Sequence, residues 1–262
     1  ATGYYSNTNY PAAMVRPSDI IGYWTFDESS GTTAANTGTA GSAHAATLMG
    51  GAAFSTSEKK VGAASLHVPS STGWAEVTTV LPLGGDITKA TFTISTWFKK
   101  MHYGSWRTLT RGSNRHHHFM GNQNNNDFGV YANNNGNFRN AGFQIPAALS
   151  ANSWHHFAGV SNATTNQSKL YLDGVYKGTA DRATGDNIYA IGNYQGGDQR
   201  FAEYLDDFRV YGVALTDGDI AAIAAGDIDN AIPSILHTLS ALKGPTGFTA
   251  TGLPAGLSVN SS

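Results

Sequence analysis

One stretch, Trp154 to Gly178, narrows the possible folds more than any other: WHHFAGVSNATTNQSKLYLDGVYKG. It holds β-type runs on either side of Asp173-Gly174, and Asp-Gly between alternating hydrophobics is a strong short-range hairpin signal. Gly174 takes positive φ at no steric cost, and Asp173 tolerates the left-handed region better than most residues. A two-residue loop pairs Leu172 with Val175 on one face and Tyr171 with Tyr176 on the other. The stretch predicts one corner of an antiparallel sheet.

The rest of the chain agrees with a β architecture. Charged residues make up 13% of the 262 residues, about half the usual ~25%. Thr, Ser, Asn and Gly fill the gap and favour strands and turns over long exposed helices. A net charge of −2 without a basic block predicts no nucleic-acid partner. No apolar run approaches the ~20 residues of a membrane-spanning helix. Without cysteine there can be neither disulfides nor thiolate metal sites. The chain begins at Ala1 with neither Met nor an apolar signal core, as a processed or recombinant fragment would. Its composition is that of an exported protein, and extracellular or surface localisation is the expectation.

Residues 1–18 lack periodicity and read as an extended lead-in. Ile20–Phe26 is a strand with Trp24 and Phe26 on one face, followed by a long Gly-punctuated loop carrying one short strand. Ala64–Val68, Trp74–Val80 and Thr91–Lys99 follow, the last with Phe92, Ile94 and Phe98 on one side and Trp97 on the other. Strands are expected at Trp106–Arg111, His116–Met120 and Phe128–Ala132, with the Asn runs between them as turns. Asn187–Gly192 and Ala202–Tyr211 complete the set. Regular alternation in Leu205–Tyr211 puts Asp206 on the face of Phe208 and Val210, opposite Asp207 and Arg209. Thr216 and Asp219 form a capping box that opens a helix over Asp217–Ala225, closed by Gly226. The expected fold class is all-β: a two-sheet antiparallel sandwich with one short C-terminal helix. Residues 19–226 form its domain.

Several motifs in order carry a family resemblance. They are Tyr23-Trp24-Thr25-Phe26-Asp27-Glu28-Ser29-Ser30-Gly31-Thr32, Phe92-Thr93-Ile94-Ser95-Thr96-Trp97, Trp154-His155-His156-Phe157-Ala158-Gly159, Leu170-Tyr171-Leu172-Asp173-Gly174-Val175 and Leu205-Asp206-Asp207-Phe208-Arg209-Val210-Tyr211. The chain closes this series on Ala214-Leu215-Thr216. Together they resemble a laminin-G-like domain of the concanavalin A-like lectin/glucanase type, from about Ile20 to Gly226. The resemblance implies a jelly roll, a glycan or protein ligand outside the cell, and in many members a structural calcium ion. A second likeness, Phe248 to Asn260, resembles the opening of a bacterial immunoglobulin-like repeat. Residues 227–262 are therefore expected to be a linker and an incomplete β segment of a larger bacterial protein.

Catalysis is not expected. Glycoside hydrolysis needs two carboxylates flanking the scissile bond. The chain's four glutamates are Glu28, Glu58, Glu76 and Glu203, and they form no Glu-x-Asp-x-Glu run. For metal, Asp206 on a core-facing position would need pairing or an ion, so calcium is expected at Asp27 and Asp206 with carbonyls of residues 29–33. Consecutive His116, His117 and His118 alternate faces in a strand, so at most His116 and His118 could share an ion, and no third ligand lies nearby in sequence; they can equally serve as hydrogen-bonding or stacking residues. Sugar binding needs aromatic planes and polar groups. Trp106, Tyr103, Tyr131, Trp74 and Tyr194, with Arg107, Arg200 and the Asn clusters, are the available set. From it the ligand surface is placed on Met101–Tyr131, with Trp106, Arg107, His117 and Tyr131 as binding residues. The expected function is carbohydrate binding without catalysis. The alternative is a structural or adhesin subunit that contacts a surface protein or other copies of itself through unpaired strand edges.

Overall fold

A computed structural model describes residues 15–226 except 71, 115 and 133–136. The expected immunoglobulin-like segment and most of the lead-in lie outside the described residues. The described end of the lead-in is a single 3₁₀ turn, Pro17–Asp19, rather than extended chain.

Sixteen strands and one helix follow in order: β1 (Ile20–Trp24), β2 (Thr33–Ala34), β3 (Ala46–Met49), β4 (Ala53–Ser55), β5 (Ser65–His67), β6 (Trp74–Leu81), β7 (Phe92–Met101), β8 (Arg107–Gly112), β9 (His117–Gly121), β10 (Asp127–Ala132), β11 (Asn137–Gln144), β12 (Trp154–Asn162), β13 (Gln167–Leu172), β14 (Val175–Ala180), β15 (Ile188–Ile191), β16 (Ala202–Tyr211) and α1 (Asp217–Ala225). They build two antiparallel eight-stranded sheets. The first runs β14-β13-β12-β7-β16-β5-β4, with β1 also on β16; the second runs β11-β10-β9-β8-β15-β6-β3-β2. This is a jelly roll. Aromatic and aliphatic side chains from both inner faces, among them Trp24, Phe92, Ile94, Phe98, Leu109, Phe119, Phe128, Phe157, Leu205 and Phe208, form the shared core.

The Asp173-Gly174 hairpin forms with φ of 52° and 76°, the positive pair a tight two-residue loop requires. Leu172 faces Val175 and Tyr171 faces Tyr176. The helix spans Asp217–Ala225, with the Thr216–Asp219 capping box and Gly226 in the left-handed region. It covers the outer face of the first sheet, where Ile220 and Ile223 join Val160, Tyr171 and Tyr211 in a second apolar cluster. The Tyr171 hydroxyl donates to Asp217 Oδ1 at 2.7 Å and ties the helix to β13.

Two expectations fail for one physical reason: these strands are too short or too polar for alternation to mark them. The Gly-punctuated stretch 27–51 contains two short strands, β2 and β3, not one, and a third, β4, follows it. β11, with the weakly patterned sequence NFRNAGFQ, completes the second sheet and was not anticipated.

Candidate functional site

The second sheet carries a transverse line of side chains on the face turned from the core. Pairing sets Arg111 of β8 opposite His117 of β9, His117 opposite Tyr131 of β10, and Tyr131 opposite Phe138 of β11. Directly paired residues share a face, so the four form one row. Trp106, at the entry to β8, stands edge-on to both Tyr131 (6.0 Å) and Phe138 (5.9 Å). Tyr194, from the loop after β15, packs edge-on to His117. Between them lies a cavity of about 250 Å³ lined by Trp106, Arg111, His117, Met120, Tyr131, Tyr194 and Gln199.

Bulges make this row possible. In β8 and β9 the register shifts between Thr108 and Thr110 and again before Arg111. Leu109 enters the core, yet Arg111, which a regular strand would place beside it, emerges on the outer face.

The polar floor is an ordered chain. Arginine only donates, so the bond from Arg111 Nη1 makes His117 Nε2 an acceptor and puts the ring proton on Nδ1. That Nδ1–H donates to Thr108 Oγ1 at 2.8 Å, and the Thr108 hydroxyl donates to Gln199 Oε1 at 2.8 Å. Burial, then the nearby Arg111 charge, hold the His117 pKa well below 6.5. His117 is therefore a fixed neutral ring at physiological pH. The Arg111 guanidinium lies 4.0 Å above the Tyr194 ring, a cation–π contact that fixes its plane.

Of the expected sugar-binding residues, Trp106, His117 and Tyr131 meet at this cavity. Arg107 does not. Fully buried, it donates through Nη1 to Asn126 Oδ1 and through Nη2 to the Asn122 carbonyl, both at 3.0 Å. It thus braces the β9–β10 turn, and burial lowers its pKa to about 10. The expected cation role falls to Arg111, four residues on. Arg111, Met120 and Gln199 escaped the sequence reading. The signal that could have found Arg111 is a basic residue in a strand interior, and the bulge hides its face. Tyr194 had been among the available aromatics. Among the three consecutive histidines, only His117 faces the cavity. His118 is fully buried, with Nε2 2.9 Å from the Asp186 carbonyl and Nδ1 3.0 Å from Thr110 Oγ1.

The expected metal ligands require a correction of geometry. Asp206 pairs with Trp97, while Leu205 pairs with Phe98. Leu205 and Phe98 are in the core, so Asp206 faces outward. A bulge in β16, with Asp207 at φ 52°, restores Phe208 and Val210 to the interior. A loop roofs Asp206: the Lys60 and Val61 amides donate to Oδ2 at 2.7 and 2.9 Å. The Ala63 and Ala64 amides donate to Asp27 Oδ1, so both carboxylates brace residues 60–64. Gly62, at φ +67°, lets the loop close there, because a Cβ would lie 2.1 Å from Asp27 Oδ1. Amide donors suit an anion rather than a cation, and no group of three His, Cys, Asp or Glu that could hold a metal occurs among the described residues. Asp206 Oδ1 is buried without a hydrogen-bond partner. Burial above all raises the Asp206 pKa to about 7.

Ser153, His155 and Asp173 also align, with Ser153 Oγ 3.0 Å from His155 Nε2 and His155 Nδ1 2.9 Å from Asp173 Oδ2. The three lie at the start of β12 and at the hairpin tip, and line neither the cavity beside Trp106 nor a second one beside Trp97.

Comparison with known proteins bears on the fold. The family model described as the concanavalin A-like lectin/glucanases superfamily matches residues 70–221, more than half of the chain. Domain 4 of AbnA, a GH43 extracellular arabinanase from Geobacillus stearothermophilus solved in complex with arabinotriose, superposes with a TM-score of 0.56 at 18% identity, covering 79% of this chain and 98% of that one. The botulinum neurotoxin serotype D ligand binding domain, solved with N-acetylneuraminic acid, gives 0.55 at 14% identity over 80% of this chain and 51% of that one. The binding domain of Paraclostridial Mosquitocidal Protein 1 gives 0.55 at 13%, over 79% and 52%. At such identities the likeness is one of fold. No curated protein matches the chain.

Proposed function

The chain belongs to the concanavalin A-like lectin/glucanases superfamily, and from that premise we propose that it is a non-catalytic carbohydrate-binding domain of a secreted or surface protein. One observation carries the reading: the cavity of about 250 Å³ on the outer face of the second sheet, lined by Trp106, Tyr131 and Tyr194 around the polar side chains of Arg111, His117 and Gln199. Aromatic planes take the apolar faces of a sugar ring, and convergent polar groups take its hydroxyls. The structures solved with arabinotriose and with N-acetylneuraminic acid support the class of ligand, not the sugar. No helix of the described residues is long and apolar enough to cross a membrane.

A glycan array probed with the wild-type chain and with Trp106→Ala tests the proposal. Binding that disappears in the variant, while its circular dichroism is unchanged, is the expected result. Size-exclusion chromatography of the same samples addresses the adhesin reading: a defined oligomer without any glycan binding would favour that reading instead. A structural calcium is a separate proposal, resting on the unpartnered Asp206 Oδ1. Its test is a melting temperature that falls on chelation.

A further inference from the structure

Arg111 presents an unusual situation for a side chain only 8% exposed. A buried charge normally has a counter-charge. The guanidinium has none: its hydrogen bond goes to neutral His117 and its face rests on Tyr194. Nε is buried without a partner, and no carboxylate lies within ion-pair distance of Arg111 among the described residues. Candidates nearby are engaged elsewhere. Glu76 sits two strands away in the same row, separated by Ala190, and its carboxylate accepts the Trp74 indole N–H at 3.3 Å. Asp186 accepts from Ser113 and Asn114. Among the described residues no acidic side chain lines the cavity, and Arg111 is the one charged group of that lining.

We propose that the cavity is an acidic-sugar site, in which an oxyanion on the ligand, a uronic-acid carboxylate first of all, completes the charge that Arg111 leaves unmatched. This rests on the carbohydrate-binding reading and narrows its substrate class. Contacts with His117 and Tyr194 hold the guanidinium plane in place, so a bound oxyanion meets a pre-set donor fork and orders no flexible side chain. Its pyranose ring then lies against Trp106 and Tyr131. A sulfated sugar offers the same oxyanion chemistry in tetrahedral form.

The test uses three oligosaccharide probes in calorimetry with the wild-type chain: an oligogalacturonate, the same oligomer with its carboxyls reduced to alcohols, and a sulfated galactan oligomer. The carboxylate form is expected to bind at least about tenfold more tightly than its reduced form, the factor that a single 1.4 kcal/mol charge-assisted contact supplies. Arg111→Gln should erase that difference. A stronger response to the sulfated oligomer supports the oxyanion site with sulfate as its source. Equal binding of the acidic and reduced forms overturns the acidic-sugar site and leaves carbohydrate binding standing. Failure of all three probes, alongside a blank array, overturns both. The wild-type comparison decides the matter even if Arg111→Gln does not fold.

Discussion

At the scale of single residues, Trp106 and Asp206 make opposite predictions. Trp106 is half-buried and packs edge-on to the rim aromatics Tyr131 and Phe138. Trp106→Ala is expected to weaken sugar binding by about 1.5–3 kcal/mol, the scale of one large buried side chain, with the fold retained. If the variant instead unfolds, Trp106 belongs to the scaffold. Asp206 concerns stability. Its pKa is raised in the folded state from 3.8 to about 7, so the folded chain binds a proton that the unfolded chain has released. The stabilisation is complete below pH ~4 and is lost as pH rises through about 7. The melting temperature should therefore fall between pH 5 and 8, and Asp206→Asn should flatten that slope. A calcium ion on Oδ1 would flatten it too, but reversibly with chelator. Identical slopes for the variant and the wild type would remove Asp206 from the account.

At the scale of elements, what could be read from the sequence was local chemistry. Asp173-Gly174 sets its own dihedrals, and Thr216, Asp219 and Gly226 bound the helix without help from the rest of the chain. Clean alternation likewise gave the faces of Phe92, Ile94, Phe98 and Trp97. Bulges broke the reading in two places, because a single inserted residue inverts every side chain beyond it. They turned Asp206 outward, and they brought Arg111 into the cavity while Arg107 went under the β9–β10 turn. Nothing in RTLTRG or LDDFRVY marks a bulge; it exists only in the register against a partner strand, the neighbouring β9 for the first and the sequence-distant β7 for the second. Substitutions can probe the legible elements. Gly174 combines φ +76° with a would-be Cβ only 3.0 Å from the Ala224 Cβ on the helix. Gly174→Ala should therefore cost more than the ~1 kcal/mol that a strain-free exchange would change. Thr216→Ala removes the cap and should cost about 1 kcal/mol. Urea unfolding measures both, and an unchanged midpoint for Gly174→Ala would show that the helix does not sit against the hairpin tip.

At the scale of the whole molecule, both apolar clusters among the described residues draw on the chain from Val15 to Ile223. Residues 227–262 are too few to bury a core of their own, and ending the chain after Gly226 is expected to move the melting temperature by no more than about 2–4 °C, the shift of a 1 kcal/mol change in a domain of this size. Loss of cooperative melting would mean that the segment beyond is part of the fold. The row from Arg111 to Phe138 has a consequence in time as well as in space. Four successive strands each contribute one residue, so no single hairpin contains the cavity and a ligand seated there spans the whole β8–β11 meander. Any local opening that frees one of those strands must first release the ligand. Amide hydrogens throughout the meander should then slow together on saturation, while those of β13 and β14 in the opposite sheet keep their rates. Occupancy would be legible as a synchronised delay in proton exchange across four strands.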